Sequence, residues 1–269
     1  MSTLHLPNLR SHYASVVRHV RMGDVVPSRD GDTREVLDLT LIVDDPTDVL
    51  PVGINRKLNP KIAALEFLQL VGGVQVPQLL VKAAPHFARF QDGEAYHGAY
   101  GPRLAAQLPA VVRRLEKDPG TRQAVLQIWD PLHDLLVENR KDYPCTLTLQ
   151  FLIREGQLQL HTKMRSNDAR LGLTYDAFQF TQLQLTVARV LGIDAGPYFH
   201  HATSFHIYER DVEASRTLTP AKVGPPEDRP LGLPYHSIEA NIHCAKQLLK
   251  GNTFDDTQWF NKVLEPLFT

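Results

Sequence analysis

Two alternating apolar runs joined by a tight turn constrain the fold of this chain more than any other feature. Residues 146–153 and 157–162 alternate apolar and polar side chains on either side of Arg154-Glu155-Gly156. Such a pattern is typical of two antiparallel strands joined by a hairpin turn. Residues 36–43 and 124–129 predict two further strands. In the run 36–43, the apolar side chains expected on one face are Leu37, Leu39, Leu41 and Val43.

Stretches with helical spacing of apolar residues separate the predicted strands. They run from Asn59-Pro60 to Gly72-Gly73, from Ala105 to Lys117, and from Tyr175 to Leu191 before Gly192. Strands that interleave with long helices, without regular alternation or the glycine fingerprint of a dinucleotide fold, predict an α/β (α+β) fold with helices packed on a mixed sheet. Because the sequence shows no convincing linker or repeat, we expect a single domain over residues 1–269.

The composition argues against several classes of partner. Of the 269 residues, 43% are apolar and 22% charged, and the formal net charge is −1. No basic surface for nucleic acid is therefore expected, and an anionic ligand must be held by a few placed arginines. The first ten residues lack a secretory signal, and no window approaches the roughly 18 apolar residues of a membrane span. We expect a cytoplasmic protein that binds small molecules, with Cys145 and Cys244 as free thiols.

Cys145 stands immediately before the first strand of the predicted hairpin, and Arg165-Ser166 follows the second. A lone cysteine in such a place is most often a packing residue. A guanidinium beside the sulfur would lower the thiol pKa, however, and the thiolate is the reactive species. Arginine and serine also suit a phosphate group. The pattern therefore indicates a nucleophile next to an anion site, with a surface ion pair as the alternative role for Arg165.

Five motifs occur in the order and spacing of one known family. They are Tyr143-Pro144-Cys145, Gln150-Phe151, Arg165-Ser166-x-Asp168, Leu171-Gly172 and His206-Ile207-Tyr208. Together they resemble the thymidylate synthase family over residues 29–208. The resemblance implies a twisted mixed sheet carrying helices, assembled as an obligate homodimer in which each site is completed by the neighbouring subunit.

The resemblance also implies roles for individual residues. Cys145 would add to C6 of a pyrimidine, Glu66 would organise water and move protons, and Tyr100 would lie beside the cysteine. The implied phosphate ligands are Arg29, Arg165, Ser166 and, contributed by the partner subunit, Arg122. The implied ligands of the base and sugar are Asp176, His206 and Tyr208. The implied folate-binding residues are Asp168, Leu171, Gly172 and Tyr175.

Several positions depart from the family pattern. Asp176 replaces the asparagine that reads uracil, and an ionised carboxylate suits the N4 amino group of cytosine but opposes O4 of uracil. The same aspartate is characteristic of deoxycytidylate hydroxymethylases, relatives of thymidylate synthase. An ungapped alignment places His86 and Arg89 at the family's two lid tryptophans, and the last five residues differ from the ending that closes over the folate. Both changes favour water over hydride as the final reactant. Arg122 is followed by Gln123 where the family usually has a second arginine.

We therefore expect a folate-dependent 5-hydroxymethyltransferase that acts on a cytidine monophosphate. The expected substrate is dCMP, with CMP open; 5,10-methylenetetrahydrofolate is the expected one-carbon donor, and no metal is expected. One alternative is reductive methylation of dCMP or dUMP. Another, from a different class, is a relative that binds nucleotide or RNA without catalysis.

Overall fold

The fold is described here from a computed structural model, which describes residues 2–51, 55–56, 58–221 and 229–269. The strands are β1 (Ser2–Leu6), β2 (Asp24–Val26), β3 (Thr33–Val43), β4 (Val125–Gln127), β5 (Thr146–Arg154), β6 (Gln157–Asp168) and β7 (Asp194–Tyr208). The longer helices are α1 (Leu9–Arg21), α2 (Pro60–Gly72), α3 (Pro77–Ala83), α4 (Tyr100–Leu104) and α5 (Gln107–Lys117). They continue with α6 (Pro131–Asp134), α7 (Leu173–Leu191), α8 (Glu209–Ser215), α9 (Ile238–Leu248) and α10 (Gln258–Leu264). Short 3₁₀ helices occupy Pro85–Phe90, Asp255–Thr257 and Glu265–Leu267.

The seven strands of the described chain form one mixed sheet in the order β1-β3-β7-β6-β5-β4, with β2 paired to β3. The pairs β1/β3 and β6/β7 are parallel and the other pairs are antiparallel. Helices pack on this sheet, with α7 against β6 and β7 and with α2 against α7. The predicted fold class, a mixed sheet with packed helices, is therefore confirmed.

The predicted hairpin is present and has a local cause. Arg154 pairs with Gln157, and the two residues between them, Glu155 and Gly156, have φ values of 53° and 75°. A two-residue loop with positive φ at both positions matches the right-handed twist of the flanking strands. β6 continues to Asp168, beyond the predicted end at residue 162. The Arg-Ser-x-Asp motif consequently lies on the strand itself.

Helix α2 also begins and ends where the sequence predicts. The side chain of Asn59 accepts a hydrogen bond from the Lys61 N–H at 3.1 Å, and Gly73 ends the helix with φ 65°. These are the expected N-terminal cap and left-handed C-terminal residue. Helix α7 ends in the same way at Gly192, with φ 69°.

Three local predictions need correction. Leu37 does not share the buried face of Leu39 and is 63% exposed, because Asp38 has φ 53° and interrupts the extended alternation. Helix α4 begins at Tyr100, inside the stretch predicted as a loop. The sequence patterns also missed β7, a 15-residue strand between β3 and β6. Buried His200 and Gly196 interrupt its apolar pattern, so alternation alone does not reveal it.

The helices cover one face of the sheet, and the other face keeps partly exposed side chains. On β6, Leu160 and Thr162 are buried towards the helices, so His161 between them points to the opposite face. There its ring stacks on Phe199 of β7, with ring centroids 4.1 Å apart.

Candidate active site

A single cavity brings together four of the residues predicted to be catalytic. It is lined by Cys145, Glu66, Tyr100 and Asp176, among others, and is called the cysteine cavity below. Cys145 directly precedes β5, and its carbonyl accepts a hydrogen bond from the Arg165 N–H of β6 at 2.9 Å. Pairing of the two strands therefore holds the thiol at the cavity wall.

The thiol of Cys145 is not ionised at neutral pH in this state. Burial raises its pKa to about 11, although the positive charge of Arg165 acts in the opposite direction. The nearby carboxylates of Asp176, Asp142 and Asp168 raise it further. The predicted effect of Arg165, a charge that lowers the thiol pKa, is confirmed, but burial makes the net pKa higher than the ordinary value. Desolvation of a buried anion outweighs one partly exposed guanidinium.

Arg165 lies outside the cysteine cavity and is exposed. Its Nε donates to the carbonyl of Pro144 at 3.0 Å, and its Nη2 donates to the carbonyl of Tyr143 at 3.4 Å. The guanidinium carbon lies 5.7 Å from the centroid of the Trp129 ring. Arg165 therefore fixes the turn that carries Cys145, and its exposed donors remain available to an anion.

Tyr100 is held next to the cysteine by two contacts. Its hydroxyl accepts a hydrogen bond from Thr146 Oγ1 at 3.1 Å, and its ring stacks on Phe180 with centroids 6.2 Å apart. Burial raises its pKa well above the ordinary value, with the Asp176 and Cys145 charges acting in the same direction. The phenol is therefore neutral and can donate or accept hydrogen bonds in the cavity.

Glu66 projects into the cavity from α2, between the fully buried Leu65 and Phe67. Burial, followed by the charges of Asp176 and Asp142, raises its pKa to about 8. At neutral pH this carboxyl group is therefore mostly protonated. It can donate a proton to a substrate atom more readily than it can accept one.

A chain of hydrogen bonds fixes the carboxyl group of Asp176. Asn167 Nδ2 donates to one oxygen at 2.7 Å, and Gln179 Nε2 donates to the other at 3.2 Å. Burial nevertheless raises the Asp176 pKa from 3.8 to about 7. Both protonation states are therefore populated near neutral pH. Asn167 occupies the unassigned position of the Arg-Ser-x-Asp motif, and the sequence analysis gave it no role.

His200 sets the orientation of the Asn167 amide. Its Oδ1 lies 3.0 Å from His200 Nε2, and His200 Nδ1 lies 2.8 Å from the Tyr198 hydroxyl. Burial lowers the His200 pKa to about 3, so this ring is neutral. Because Oδ1 can only accept, Nε2 must carry the ring hydrogen and Tyr198 must donate to Nδ1. The amide nitrogen of Asn167 is thereby directed at Asp176.

The residues predicted for phosphate and sugar lie outside the cysteine cavity, and three of them meet at the ends of neighbouring strands. Asp168 of β6 pairs in register with His206 of β7, and the Ser166 hydroxyl lies 3.4 Å from His206 Nδ1. Tyr208 ends β7. Two predicted ligands are not brought to this cluster by any described contact. Arg29 is exposed beside Asp30, with the two side chains 3.6 Å apart, and Arg122 is exposed before β4.

The predicted folate-binding residues surround the start of α7. Asp168 Oδ1 accepts the N–H groups of Arg170 at 2.7 Å and Leu171 at 2.9 Å, which closes the turn before the helix. Leu171 is 41% exposed, and the Tyr175 hydroxyl accepts a hydrogen bond from the Asn59 N–H at 3.0 Å.

Gly172 and Arg56 also belong to the region around the start of α7. A Cβ at Gly172 would lie 3.1 Å from Asn167 Nδ2 and 3.2 Å from an Asp176 oxygen, so the glycine permits close packing behind the carboxylate. Arg56, which the sequence analysis did not single out, donates to the carbonyl of Leu171 at 3.3 Å. Its guanidinium carbon lies 5.8 Å from the Tyr175 ring centroid. The region thus combines polar donors and acceptors with an aromatic wall.

Two aromatic rings form part of the wall of the cysteine cavity. His86 and Arg89, aligned with the family's lid tryptophans, are both exposed. The neighbouring Phe87 and Phe90 line the cavity, with ring centroids 6.1 Å apart. Aromatic side chains therefore lie at the cavity one residue after each of the two aligned positions.

Comparison with known proteins shows to which family the chain belongs. The family described as thymidylate synthase matches residues 11–225 of the chain. The chain belongs to the thymidylate synthase family. Within this family it is similar to a deoxyuridylate hydroxymethyltransferase of Bacillus phage SP01, with 30% identity over 222 residues that cover 76% of this chain and 58% of the phage protein.

Two further members of the family show the range of relatives. A deoxyuridylate hydroxymethyltransferase of Pseudomonas phage M6 is 31% identical over 178 residues, covering 63% of this chain and 50% of that protein. A thymidylate synthase of Bacillus licheniformis is 33% identical over 136 residues, covering 46% and 47%. The chain thus spans between 47% and 58% of the length of these three relatives.

Among the described residues, no helix is long and apolar enough to cross a membrane. In the same ranges, no group of three or more His, Cys, Asp or Glu side chains is arranged to hold a metal ion. Cys145 and Cys244 are both free thiols.

Proposed function

We propose that this thymidylate synthase family member converts a pyrimidine nucleoside monophosphate into its 5-hydroxymethyl derivative, with dCMP as the preferred substrate. The observation that carries the proposal is the presence of the Cys145 thiol and the Asp176 carboxyl group in one cavity. A thiol can activate the pyrimidine ring, and a carboxyl group can select its base. The two relatives named deoxyuridylate hydroxymethyltransferase support the type of reaction.

Covalent addition of Cys145 to C6 would begin the reaction. The new C–S bond places the electron pair of the C5–C6 double bond on the ring, and C5 becomes nucleophilic. In cytosine, neutral Asp176 can give its proton to N3 at this moment. The resulting carboxylate then accepts both N3–H and N4–H, so it stabilises the charge that develops during attack. The hydrogen bonds from Asn167 and Gln179 hold the carboxylate in place for this step.

Cytosine is proposed over uracil because its N3 is much more basic than O4 of uracil. Beside an ionised Asp176, cytosine can relieve the repulsion at N3 by taking up a proton, whereas uracil keeps O4 facing a carboxylate. The neutral form of Asp176, by contrast, can pair with either base. A pKa of about 7 makes that neutral form available, and dUMP is therefore the second candidate, favoured also by the names of the phage relatives.

The folate side of the reaction is proposed from the residues around α7. When bound, 5,10-methylenetetrahydrofolate supplies the methylene group that C5 receives. The exposed Leu171 and the Tyr175 ring offer an apolar wall, and the carboxyl group of Asp168 offers an acceptor for ring N–H groups. Gly172 keeps the helix start close to Asp176. Loss of the C5 proton and cleavage of the bond between the methylene carbon and the folate then release tetrahydrofolate and leave an exocyclic methylene on the nucleotide. Water attacks this methylene before Cys145 leaves.

A homodimer with shared sites is also proposed. The partly exposed face that carries His161 and Phe199 is the surface available for a second copy, and Arg122 lies outside the cavity of its own chain. Arg29, Arg165 and Ser166 would hold the phosphate together with Arg122 of the partner subunit, while His206 and Tyr208 would bind the sugar.

The deciding experiment is the mass of the product. Purified protein is incubated with 5,10-methylenetetrahydrofolate and an equimolar mixture of dCMP, CMP and dUMP, and the nucleotides are analysed by mass spectrometry. We expect a hydroxymethyl group on dCMP. A methyl group accompanied by stoichiometric dihydrofolate would instead establish reductive methylation. Cys145→Ala is the control, and full turnover by this variant would overturn the covalent mechanism.

A further inference from the structure

Beside the cysteine, the cavity contains a carboxyl group and a phenol for which the sequence analysis gave no role. Asp142 precedes Cys145 by three residues, and Tyr96 lies in the loop before α4; both line the cysteine cavity. Gly98 closes over Asp142, because its N–H donates to the carboxylate and a Cβ there would lie only 2.6 Å from Oδ2. Only glycine leaves room for the carboxylate at this point.

The hydroxyl group of Tyr96 indicates that a ligand belongs at this place. Tyr96 is only 6% exposed, and its buried oxygen has no hydrogen-bond partner among the described residues. A buried polar group without a partner costs about 1–3 kcal/mol. A water molecule or substrate atom in the adjoining cavity would supply the missing hydrogen bond.

Asp142 is better suited than Glu66 to accept a proton from such a water. Every cause acting on the Glu66 pKa raises it, and Glu66 is mostly protonated at neutral pH. Burial is the main cause that raises the pKa of Asp142, and the charge of Asp92 adds to the rise, whereas the Gly98 N–H and the charges of His97 and Arg103 oppose it. Arg103 is itself held nearby by two hydrogen bonds to Asp134. Groups that favour the carboxylate are therefore present around Asp142 and absent from the causes that act on Glu66.

We propose that Asp142 and Tyr96 hold the water that adds to the exocyclic methylene of the nucleotide, and that the Asp142 carboxylate accepts its proton. This inference rests on the proposed hydroxymethylation. The water oxygen forms a bond to the methylene carbon, one water proton goes to Asp142, and the methylene π electrons move into the ring. Those electrons then form the C5–C6 double bond as the C6–S bond breaks and the thiolate of Cys145 leaves. Nothing is oxidised or reduced.

The reverse of this step can be measured without folate. 5-Hydroxymethyl-dCMP is incubated with the protein in water enriched in ¹⁸O, and exchange of the hydroxyl oxygen is followed by mass spectrometry. Exchange requires Cys145 addition, loss of the hydroxyl group and return of a different water. A general base contributes about 100-fold or more to such a step, so Asp142→Asn is expected to slow exchange by about 100-fold. Tyr96→Phe, which keeps the ring, is expected to slow it less.

A second assay separates the water step from the earlier ones. With enzyme in excess over dCMP, so that each site turns over once, release of tritium from C5 reports all steps up to the exocyclic methylene. Asp142→Asn is expected to retain this release while forming little hydroxymethyl product. The matched control is Asp194→Asn, whose side chain is exposed at the start of β7 and is not among the residues that line the cavity. It should behave like the unmodified protein in both assays.

The outcomes distinguish this inference from the proposed function. If the unmodified protein forms a methyl rather than a hydroxymethyl product, the proposed function fails, and this inference fails with it. If it forms the hydroxymethyl product while Asp142→Asn keeps wild-type oxygen exchange, only this inference is overturned. Equal losses of tritium release and product would also overturn it, since Asp142 would then act earlier. If circular dichroism shows that Asp142→Asn does not fold, Tyr96→Phe is tested instead. A ratio of hydroxymethyl product to released tritium equal to that of the unmodified protein would then overturn the inference.

Discussion

The ionisation of Asp176 should make the choice between cytosine and uracil depend on pH. Its pKa rises from 3.8 to about 7, so ionising it in the empty cavity costs about 4 kcal/mol more than in water. The neutral form dominates below this pKa and can pair with either base. Above it the carboxylate opposes O4 of uracil, whereas it still accepts a hydrogen bond from the N4 amino group of cytosine. Use of dUMP should therefore fall as the pH rises, relative to use of dCMP.

The size of the effect follows from the titration. The neutral fraction of a group with a pKa near 7 falls from about nine tenths at pH 6 to about one tenth at pH 8. The ratio of kcat/KM for dCMP to kcat/KM for dUMP should therefore increase about tenfold over this range, because kcat/KM reports ionisations of the free enzyme. Titration of Cys145 and Glu66 acts on both substrates and cancels in the ratio.

The assay offers both nucleotides in competition at constant ionic strength and counts the two products by mass spectrometry. The variant Asp176→Asn provides the control, since an amide does not titrate and the ratio should become independent of pH. The same variant should shift preference towards dUMP by about 5- to 150-fold, the equivalent of one mismatched buried hydrogen bond of about 1–3 kcal/mol. A pH-independent ratio in the unmodified protein would refute the reasoning, and an unchanged ratio in the variant would show that Asp176 does not read the base.

Three further predictions concern assembly, packing and stability. Co-refolding of the inactive variants Arg122→Ala and Cys145→Ala should restore about a quarter of the wild-type sites, because half of the dimers are mixed and each has one intact site. No recovery would place Arg122 in the site of its own chain, and an active Arg122→Ala variant would place it outside all sites. Gly172→Ala should raise KM for the nucleotide several-fold with little change in stability, because the new Cβ would lie 3.2 Å from an oxygen of Asp176; unchanged KM in steady-state kinetics would contradict this role. Phe180→Ala should lower the free energy of unfolding by about 3–5 kcal/mol, since the ring is fully buried. Urea denaturation measures the difference. A loss below about 1 kcal/mol would show that the surrounding side chains fill the space that the ring leaves beneath Tyr100.

The predicted elements that the structure confirms are those with local causes. The β5–β6 hairpin follows from a two-residue turn, and α2 and α7 end at glycines with left-handed backbone. Strand β7 was missed because its burial depends on two neighbouring strands and on helices α1, α7 and α8 rather than on its own apolar pattern. Its buried His200 reads as polar in the sequence, yet it satisfies Asn167 in the structure.

The candidate site likewise contains residues that the sequence identified and a residue that only the structure revealed. The order of the motifs was sufficient to identify Cys145, Glu66, Tyr100 and Asp176, and the structure brings all four to one cavity. Their proposed roles remain predictions. Asp142 escaped attention because a carboxylate in a loop is ordinarily a solvated charge, and only folding places this one under Gly98.

The sequence by itself determined the family, the mixed sheet with packed helices and four of the residues that line the cysteine cavity, because these depend on motif order, periodicity and turn residues. Only the tertiary structure decided the protonation of those groups. Burial raises the pKa of Cys145 to about 11, that of Glu66 to about 8 and that of Asp176 to about 7. It also decided that Phe87 and Phe90 face the cavity while His86 and Arg89 do not. Desolvation and side-chain direction arise from the packing of segments distant in the chain, so no local pattern encodes them.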